Sequence, residues 1–145
     1  MTYNQVIKTI KATLSTHAMI KSIKGATPRE WLFASEQPVF PVACFGVNTG
    51  SLNIGREQVY NLTLWFLDKS GMEREFEDDV TSDQLQICAD IISKLRNGAN
   101  NWTISDNITY NLISDKFEDY LAGVEVSFDM TTFSDFDACD IPLNP

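Results

Sequence analysis

The sequence predicts a single α+β domain over residues 1–145, a mainly antiparallel β-sheet with two α-helices packed on one face. Two segments carry apolar residues at the three- and four-residue spacing of a helix, and several others alternate in polarity as half-buried strands do. The elements follow the order helix, strands, helix, strands. Because no βαβ repeat interrupts that order, an antiparallel sheet is favoured over a doubly wound one.

The first helix is predicted from about Thr2 to Ser15. Its apolar stripe consists of Tyr3, Val6, Ile7, Ile10 and Leu14. Gly25 and Pro28 then break the helical pattern, and a short strand is expected around Met19–Ile23.

The middle of the chain predicts three strands. Trp31–Ser35 and Val39–Val47 are rich in aromatic and β-branched residues, and a loop is expected around Asn48–Gly55. Polarity alternates from Glu57 to Leu67, which predicts a third strand. Its inward residues would be Tyr60, Leu62, Leu64 and Phe66. Asp68–Gly71 then has the composition of a turn.

A second helix and three more strands follow. Thr81 and Gln84 match a capping box, which predicts the start of the helix, and Gly98 marks its end. The apolar residues with helical spacing are Leu85, Cys88, Ile91, Ile92 and Leu95. The strands are predicted at Trp102–Ile104, Ile108–Ile113 and Ala122–Phe133.

The charge is strongly negative and unevenly distributed. A net charge of −9 argues against a general nucleic-acid binder, because Lys and Arg drive phosphate binding. Residues 1–29 nevertheless hold five bases and no acid, whereas the rest holds 20 acids and 6 bases. The five bases are Lys8, Lys11, Lys21, Lys24 and Arg29. They form either a solvated basic surface or a patch that docks on an acidic surface of a neighbour.

Two acidic clusters are the only groups that suggest chemistry, since paired carboxylates can bind hard cations or act as acid and base. The first cluster is Glu73, Glu75, Glu77, Asp78 and Asp79, and the second is Asp135, Asp137 and Asp140. The second lacks the Gly and the downstream Glu of a calcium loop. A solvated acidic surface is therefore the preferred interpretation, and no metal site is predicted.

Other catalytic and binding motifs are missing from the sequence. The single histidine, His17, has no local nucleophile motif, and no glycine-rich nucleotide motif occurs. Cys44, Cys88 and Cys139 form no Cys-x-x-Cys pair and are expected to be buried free thiols. We therefore expect no enzyme and no cofactor. No apolar run reaches the ~18–20 residues of a membrane span, so a cytoplasmic protein without a membrane partner is expected.

In the order and local sequence of these segments, the chain resembles the tail terminator and related neck ring proteins of tailed phages, including crAss-like and similar phages. The matching segments are His17–Ile20 with Gly25, Phe40–Ala43, Phe66–Asp68, Leu85–Leu95, Asp115–Val124 and Cys139–Pro142. The chain departs from the pattern at Ala26–Arg29, where related chains often carry acidic residues.

The resemblance implies a tail-terminator-like fold and a hexameric ring. Such a ring caps the tail tube and joins it to head-completion or portal-side neck proteins, and DNA passes through its lumen without specific binding. The protein would then lie in the virion tail or neck, after assembly in the host cytoplasm. The five bases would contact a neighbouring subunit or ring, and the first acidic cluster would lie on the surface or in the lumen, where it repels phosphate.

Two other classes stay open at this point. A free acidic DNA mimic, or an inhibitor of a host nucleic-acid-binding protein, would also account for the net charge of −9. It predicts a monomer that inhibits its target. An enzyme with an unfamiliar acidic site predicts stoichiometric metal binding, and loss of activity when either acidic cluster is neutralised.

Overall fold

The computed structural model describes residues 2–32, 38–71, 76–97, 101–114 and 121–133 of the chain. In chain order these ranges contain α1 Tyr3–Ser15, β1 Ser22–Lys24, α2 Pro28–Leu32, β2 Val42–Asn53, β3 Glu57–Lys69, α3 Glu77–Asn97, β4 Trp102–Ile104, β5 Tyr110–Ser114 and β6 Leu121–Phe133. The α+β prediction is confirmed.

The six strands form one sheet in the order β1, β2, β3, β6, with β4 and β5 both paired to β6. The β1–β2 pair is parallel and the other pairs are antiparallel. β3 and β6 pair along their full lengths, from Glu57 opposite Phe133 to Lys69 opposite Leu121. These two long strands form the centre of the sheet.

Helix α1 begins as its sequence dictates. The Thr2 hydroxyl accepts from the Gln5 N–H at 3.3 Å, and the Gln5 side chain accepts from the Thr2 N–H at 2.7 Å. This reciprocal capping box satisfies two N–H groups that the helix leaves unpaired and contributes about 1 kcal/mol. The buried face of α1 consists of Val6, Ile10 and Leu14, as predicted.

Both long helices, α1 and α3, pack on one face of the sheet, as predicted. The core there combines α1 and α3 with the inward residues of β2, β3 and β6, among them Ile10, Phe45, Leu64, Ile91 and Val126. The opposite face carries a smaller apolar cluster at one end of the sheet, consisting of Val42, Cys44, Leu67, Ile113 and Leu121.

Gly123 in β6 is required by a close approach between the two central strands. A Cβ built there would lie 1.9 Å from the carbonyl oxygen of Phe66. Real Cβ atoms do not approach backbone that closely, so the register of β3 against β6 depends on glycine at this position.

The prediction of a strand at Trp31–Ser35 is wrong for Trp31 and Leu32, which belong to α2. Pro28 is the first residue of that helix, where its missing N–H costs nothing. The Thr27 hydroxyl accepts from the Glu30 N–H at 3.3 Å and caps the turn. These local signals outweigh the aromatic composition, and residues 33–35 lie outside the described ranges.

The prediction of a loop at Asn48–Gly55 is also wrong, since β2 continues to Asn53 and the turn holds only three residues. The ladder to β3 shifts register between Val47 and Thr49, which accommodates Asn48 as a bulge. Backbone pairing with β3 therefore overrides the turn-like composition of this segment.

The remaining differences concern the ends of elements. Helix α3 begins at Glu77 rather than Thr81, with three acidic residues in its first turn, where the helix dipole favours negative charge. The strand predicted around Met19–Ile23 is β1, which begins only at Ser22. Asp68 and Lys69 belong to β3 rather than to a turn. The strand predicted from Ile108 begins at Tyr110.

Candidate assembly surfaces

The distal part of the β2–β3 hairpin, residues 49–58, is called the arm. Whereas Val42 to Phe45 in β2 are buried, every residue from Asn48 to Arg56 is exposed. Leu52 is 75% exposed and Ile54 is fully exposed. Within the described ranges β1 pairs with β2 only up to Cys44, so the outer edge of the arm has no strand beside it.

The tip of the arm is a tight turn formed by Ile54, Gly55 and Arg56. Gly55 has φ of +88° and Arg56 has φ of +66°, both in the left-handed region. Glycine occupies that region freely, but a side chain such as that of Arg56 is uncommon there. The turn leaves Ile54 and Arg56 exposed to solvent on either side of Gly55.

A cleft of about 800 Å³ with a mixed apolar and polar lining lies between the C-terminal half of α3 and the segment that joins β4 to β5. Its apolar lining comes from α3, β6 and Ile108, namely Leu85, Cys88, Ala89, Ile92, Ile108 and Val126. Tyr110 and Leu112 lie beside Val126 and Val124 on the same side of the sheet and are about half exposed. They extend the apolar surface of the cleft to the edge of the sheet.

Two hydrogen-bonded side chains hold the wall of the cleft in place. The Arg96 guanidinium donates to the carbonyl oxygens of Ser105 and Asp106, at 3.0 and 2.8 Å. The Trp102 indole N–H donates to the Leu95 carbonyl oxygen at 3.1 Å. The cleft is therefore built into the fold, because both contacts tie the end of α3 to the β4 region.

No family model and no curated protein matches the chain. The function therefore has to be inferred from the surfaces and side chains of this chain.

The predicted basic residues all lie on the surface near α1, β1 and α2. Lys8 and Lys11 are exposed on α1 and Arg29 is exposed on α2. Lys21 precedes β1, and Lys24 is the last residue of that strand. The Lys21 ammonium donates to the Ala18 carbonyl oxygen at 3.3 Å. The basic residues therefore cluster in sequence on consecutive elements, and a contact with a neighbouring subunit stays a prediction.

The described part of the first acidic cluster lies in the first turn of α3. Glu77, Asp78 and Asp79 follow one another there, and Asp78 and Asp79 are exposed. Glu73 and Glu75 lie outside the described residues, as does the second cluster with Asp135, Asp137 and Asp140. Further along α3, the exposed Asp83 continues the acidic surface.

The His17 side chain, two residues after the end of α1, contacts α3. Its Nε2 lies 2.9 Å from Asp90 Oδ2, and its Nδ1 accepts from the Met19 N–H at 3.1 Å. The hydrogen bonds from His17 and Gln86 lower the pKa of the Asp90 carboxyl. Both ring nitrogens have partners, so the geometry fits a structural contact between two helices better than a general base.

The two described cysteines, Cys44 and Cys88, are buried free thiols, as predicted. Burial raises the pKa of Cys44 to about 12 and that of Cys88 to about 11. Thiols with such pKa values carry little thiolate near neutral pH and react slowly. Cys139 lies outside the described residues.

A row of polar side chains crosses the sheet face opposite the helices. The Asn48 amide donates to the side-chain oxygens of Asn61 and Thr63, and the Asn61 amide donates to the Asp129 carboxylate at 2.9 Å. The Thr63 and Ser127 hydroxyls lie 2.8 Å apart. Alternation in β3 and β6 predicts which of these residues share a face. The bulge that adds Asn48 has no comparable sequence signal.

Among the described residues, no group of three His, Cys, Asp or Glu side chains could hold a metal ion. No helix within the described ranges is long and apolar enough to cross a membrane.

Proposed function

We propose that the chain is a structural subunit that closes into a ring in the tail or neck of a phage particle. The ring caps the tail tube and connects it to the head, and DNA passes through its lumen. The observation that carries the proposal is the arm, whose exposed apolar tip and open strand edge suit contact with another protein.

The arm is costly for a protein that works alone. Exposed apolar side chains and a free strand edge both favour association, and monomeric proteins usually cover or charge such edges. Here Leu52 and Ile54 are left in solvent, although the face of the sheet under α1 and α3 packs a continuous core. A subunit whose arm is covered in an assembly resolves this conflict.

The charge distribution supports the same proposal. Exposed basic residues on α1, such as Lys8 and Lys11, can contact an acidic surface of a neighbouring subunit or ring. The excess of acid gives a lumen wall that repels phosphate and lets DNA slide without adhering. The resemblance to tail terminator and neck ring proteins supplies the phage setting and the hexameric ring.

Native mass spectrometry and negative-stain imaging across a concentration series test the proposal. Closed rings with a central hole, growing in population with concentration, are the expected result. A chain that stays monomeric at every concentration, and does not close on a tail tube or neck partner, contradicts it.

The second candidate is a free acidic protein that mimics DNA or inhibits a host nucleic-acid-binding protein. The observation in its favour is the exposed acid on α3, where Asp79, Asp83 and Asp90 recur on one helix face. A monomer that inhibits a DNA-binding enzyme, and loses that inhibition when Asp79 and Asp83 are neutralised, would select this candidate.

A further inference from the structure

We propose that the apolar tip of the arm inserts into the α3 cleft of a second copy of this chain. The interface is then head-to-tail, with an arm from one subunit and a cleft from the next. This inference rests on the proposed function and deepens it by naming the two surfaces that join subunits.

The tip and the floor of the cleft both present apolar side chains. Leu52 and Ile54 are the exposed apolar residues of the arm, and the cleft offers an apolar floor that includes Ile92 and Val126. Its volume of about 800 Å³ lies within the ~300–1,000 Å³ of protein sites that enclose a ligand. Burying each side chain should tighten association at least about tenfold.

The charges at the two surfaces also match. Arg56 is exposed at the tip of the arm, next to Ile54. Asp106 is an exposed residue of the cleft lining, and Arg96 donates to its backbone carbonyl oxygen rather than to its carboxylate. An arm seated in the cleft would bring these opposite charges together at the edge of the contact, which favours one orientation.

The arm of a chain cannot reach the cleft of the same chain. Val126 lines the cleft and Phe133 pairs with Glu57 at the base of the arm tip, seven residues further along the same strand. At ~3.3 Å per residue that separation is roughly 23 Å of continuous sheet. Both features belong to one continuous β3–β6 ladder, so an arm seated in the cleft belongs to another copy. Head-to-tail contacts of this kind close into rings when the rotation permits.

Two disabling variants and two matched controls test the interface. The arm variant is Leu52→Asp with Ile54→Asp, and the cleft variant is Ala89→Trp, which fills the cleft from an exposed position on α3. The controls place the same residue types on exposed sites elsewhere, as Met19→Asp with Val39→Asp and as Ser82→Trp. All four change exposed side chains, and circular dichroism with thermal unfolding checks that each still folds.

Native mass spectrometry at one concentration gives the decisive comparison. We expect both disabling variants to associate at least about 100-fold more weakly than wild type, and both controls to assemble normally. Mixing the arm variant with the cleft variant should give a 1:1 heterodimer and nothing larger. Each such pair keeps one intact arm and one intact cleft, so one contact forms and the chain of contacts stops.

Cross-linking supplies an independent measurement if a variant fails to fold. In a Cys139→Ser background, Ile54→Cys and Asn107→Cys chains are mixed and oxidised with a copper catalyst in air. A disulfide between the two chains is expected, whereas the buried thiols of Cys44 and Cys88 should not react.

The outcomes separate this inference from the proposed function. If wild type assembles and the arm variant assembles equally well, the arm-in-cleft contact is wrong while the ring proposal survives. A mixture that stays monomeric, or that forms no cross-link, overturns the pairing of these two surfaces. If wild type never assembles with itself or with a tail or neck partner, both the inference and the proposed function fail.

Discussion

The two ends of the β2–β3 hairpin share the same strands and the same antiparallel ladder, yet they differ completely in burial. At the proximal end, Phe45 and Leu64 pair in a core covered by α1 and α3. At the distal end, Leu52 pairs with Gln58 and extends into solvent. Backbone pairing therefore continues well beyond the last residue that the core needs.

This difference indicates that the proximal end stabilises the fold and that the distal end is available for contact with another protein. A two-stranded ribbon alone is marginal in water, and β6 supports this one by pairing with β3 as far as Phe133. Apolar residues at its tip contribute nothing to the core of their own chain. We expect substitutions at the two ends to separate folding from assembly.

The largest effect is expected for Gly123→Ala at the proximal end. The new Cβ would meet the Phe66 carbonyl oxygen at 1.9 Å, so β3 and β6 have to move apart. We expect a loss of more than about 3 kcal/mol in the free energy of unfolding, measured by urea denaturation at a concentration where the chain is monomeric. Gly46→Ala is the control, because its Cβ would have nothing within 4 Å. An equal loss in both variants would contradict the close approach.

Leu64→Ala and Leu52→Ala apply one chemical change to the two ends of the hairpin. Leu64 is fully buried and should cost about 2–5 kcal/mol, because its removal leaves a cavity in the core. Leu52 is 75% exposed and should stay within about 0.5 kcal/mol of wild type. Urea unfolding of the monomer measures both. Similar losses would mean that the distal end also belongs to the folding core.

The contrast between the two ends also marks how far sequence reasoning reaches. The proximal end follows from pattern, since alternation in β3 and β6 and the helical spacing of α1 and α3 predict the shared core. The distal end does not, because Asn48, Gly50 and Asn53 are residues typical of turns. Backbone pairing with β3 across the three-residue turn makes them a strand, against this composition. The cleft likewise depends on tertiary contacts, such as that of Arg96 with the β4–β5 segment.

Thr63→Val tests the hydrogen bonds of the polar row, which lies between the buried and the exposed end of the hairpin. The Thr63 hydroxyl is buried and contacts both Asn48 and Ser127 across three strands. Valine keeps the shape and removes these hydrogen bonds, so we expect a loss of about 1 kcal/mol in the free energy of unfolding. Thr49→Val, at an exposed position beyond the bulge, should change stability by less than about 0.5 kcal/mol. Equal effects would show that the polar row does not stabilise the sheet.

The smallest effects are expected from two carboxyl groups with opposite pKa shifts. Burial raises the pKa of Asp68, so its protonated form favours folding and that contribution is lost as pH rises through the folded pKa. Asp68→Asn should therefore stabilise at pH 7, and the gain should vanish below about pH 4. The group is partly solvated, so screening keeps the gain within about 0.5 kcal/mol.

The pKa of Asp90 shifts in the opposite direction, because hydrogen bonds from His17 and Gln86 lower it. Its contribution is present above the unfolded pKa and is lost as pH falls through the folded one. Asp90→Asn should therefore destabilise slightly at pH 7 and match wild type in acid. Chemical denaturation between pH 3 and pH 7 measures both variants, and a shared sign would contradict the two assignments.

Hydrogen–deuterium exchange of the wild-type chain across a concentration series tests the central claim most directly. We expect amides of the turn residues 54–56, those on the open outer edge of residues 50–53, and those of the cleft segment 106–109 to exchange quickly in the monomer and to become protected as assembly proceeds. Amides of residues 60–67 should be protected at every concentration. If mass rises with concentration while exchange in the arm stays fast, the arm is not the assembly surface and the account is wrong.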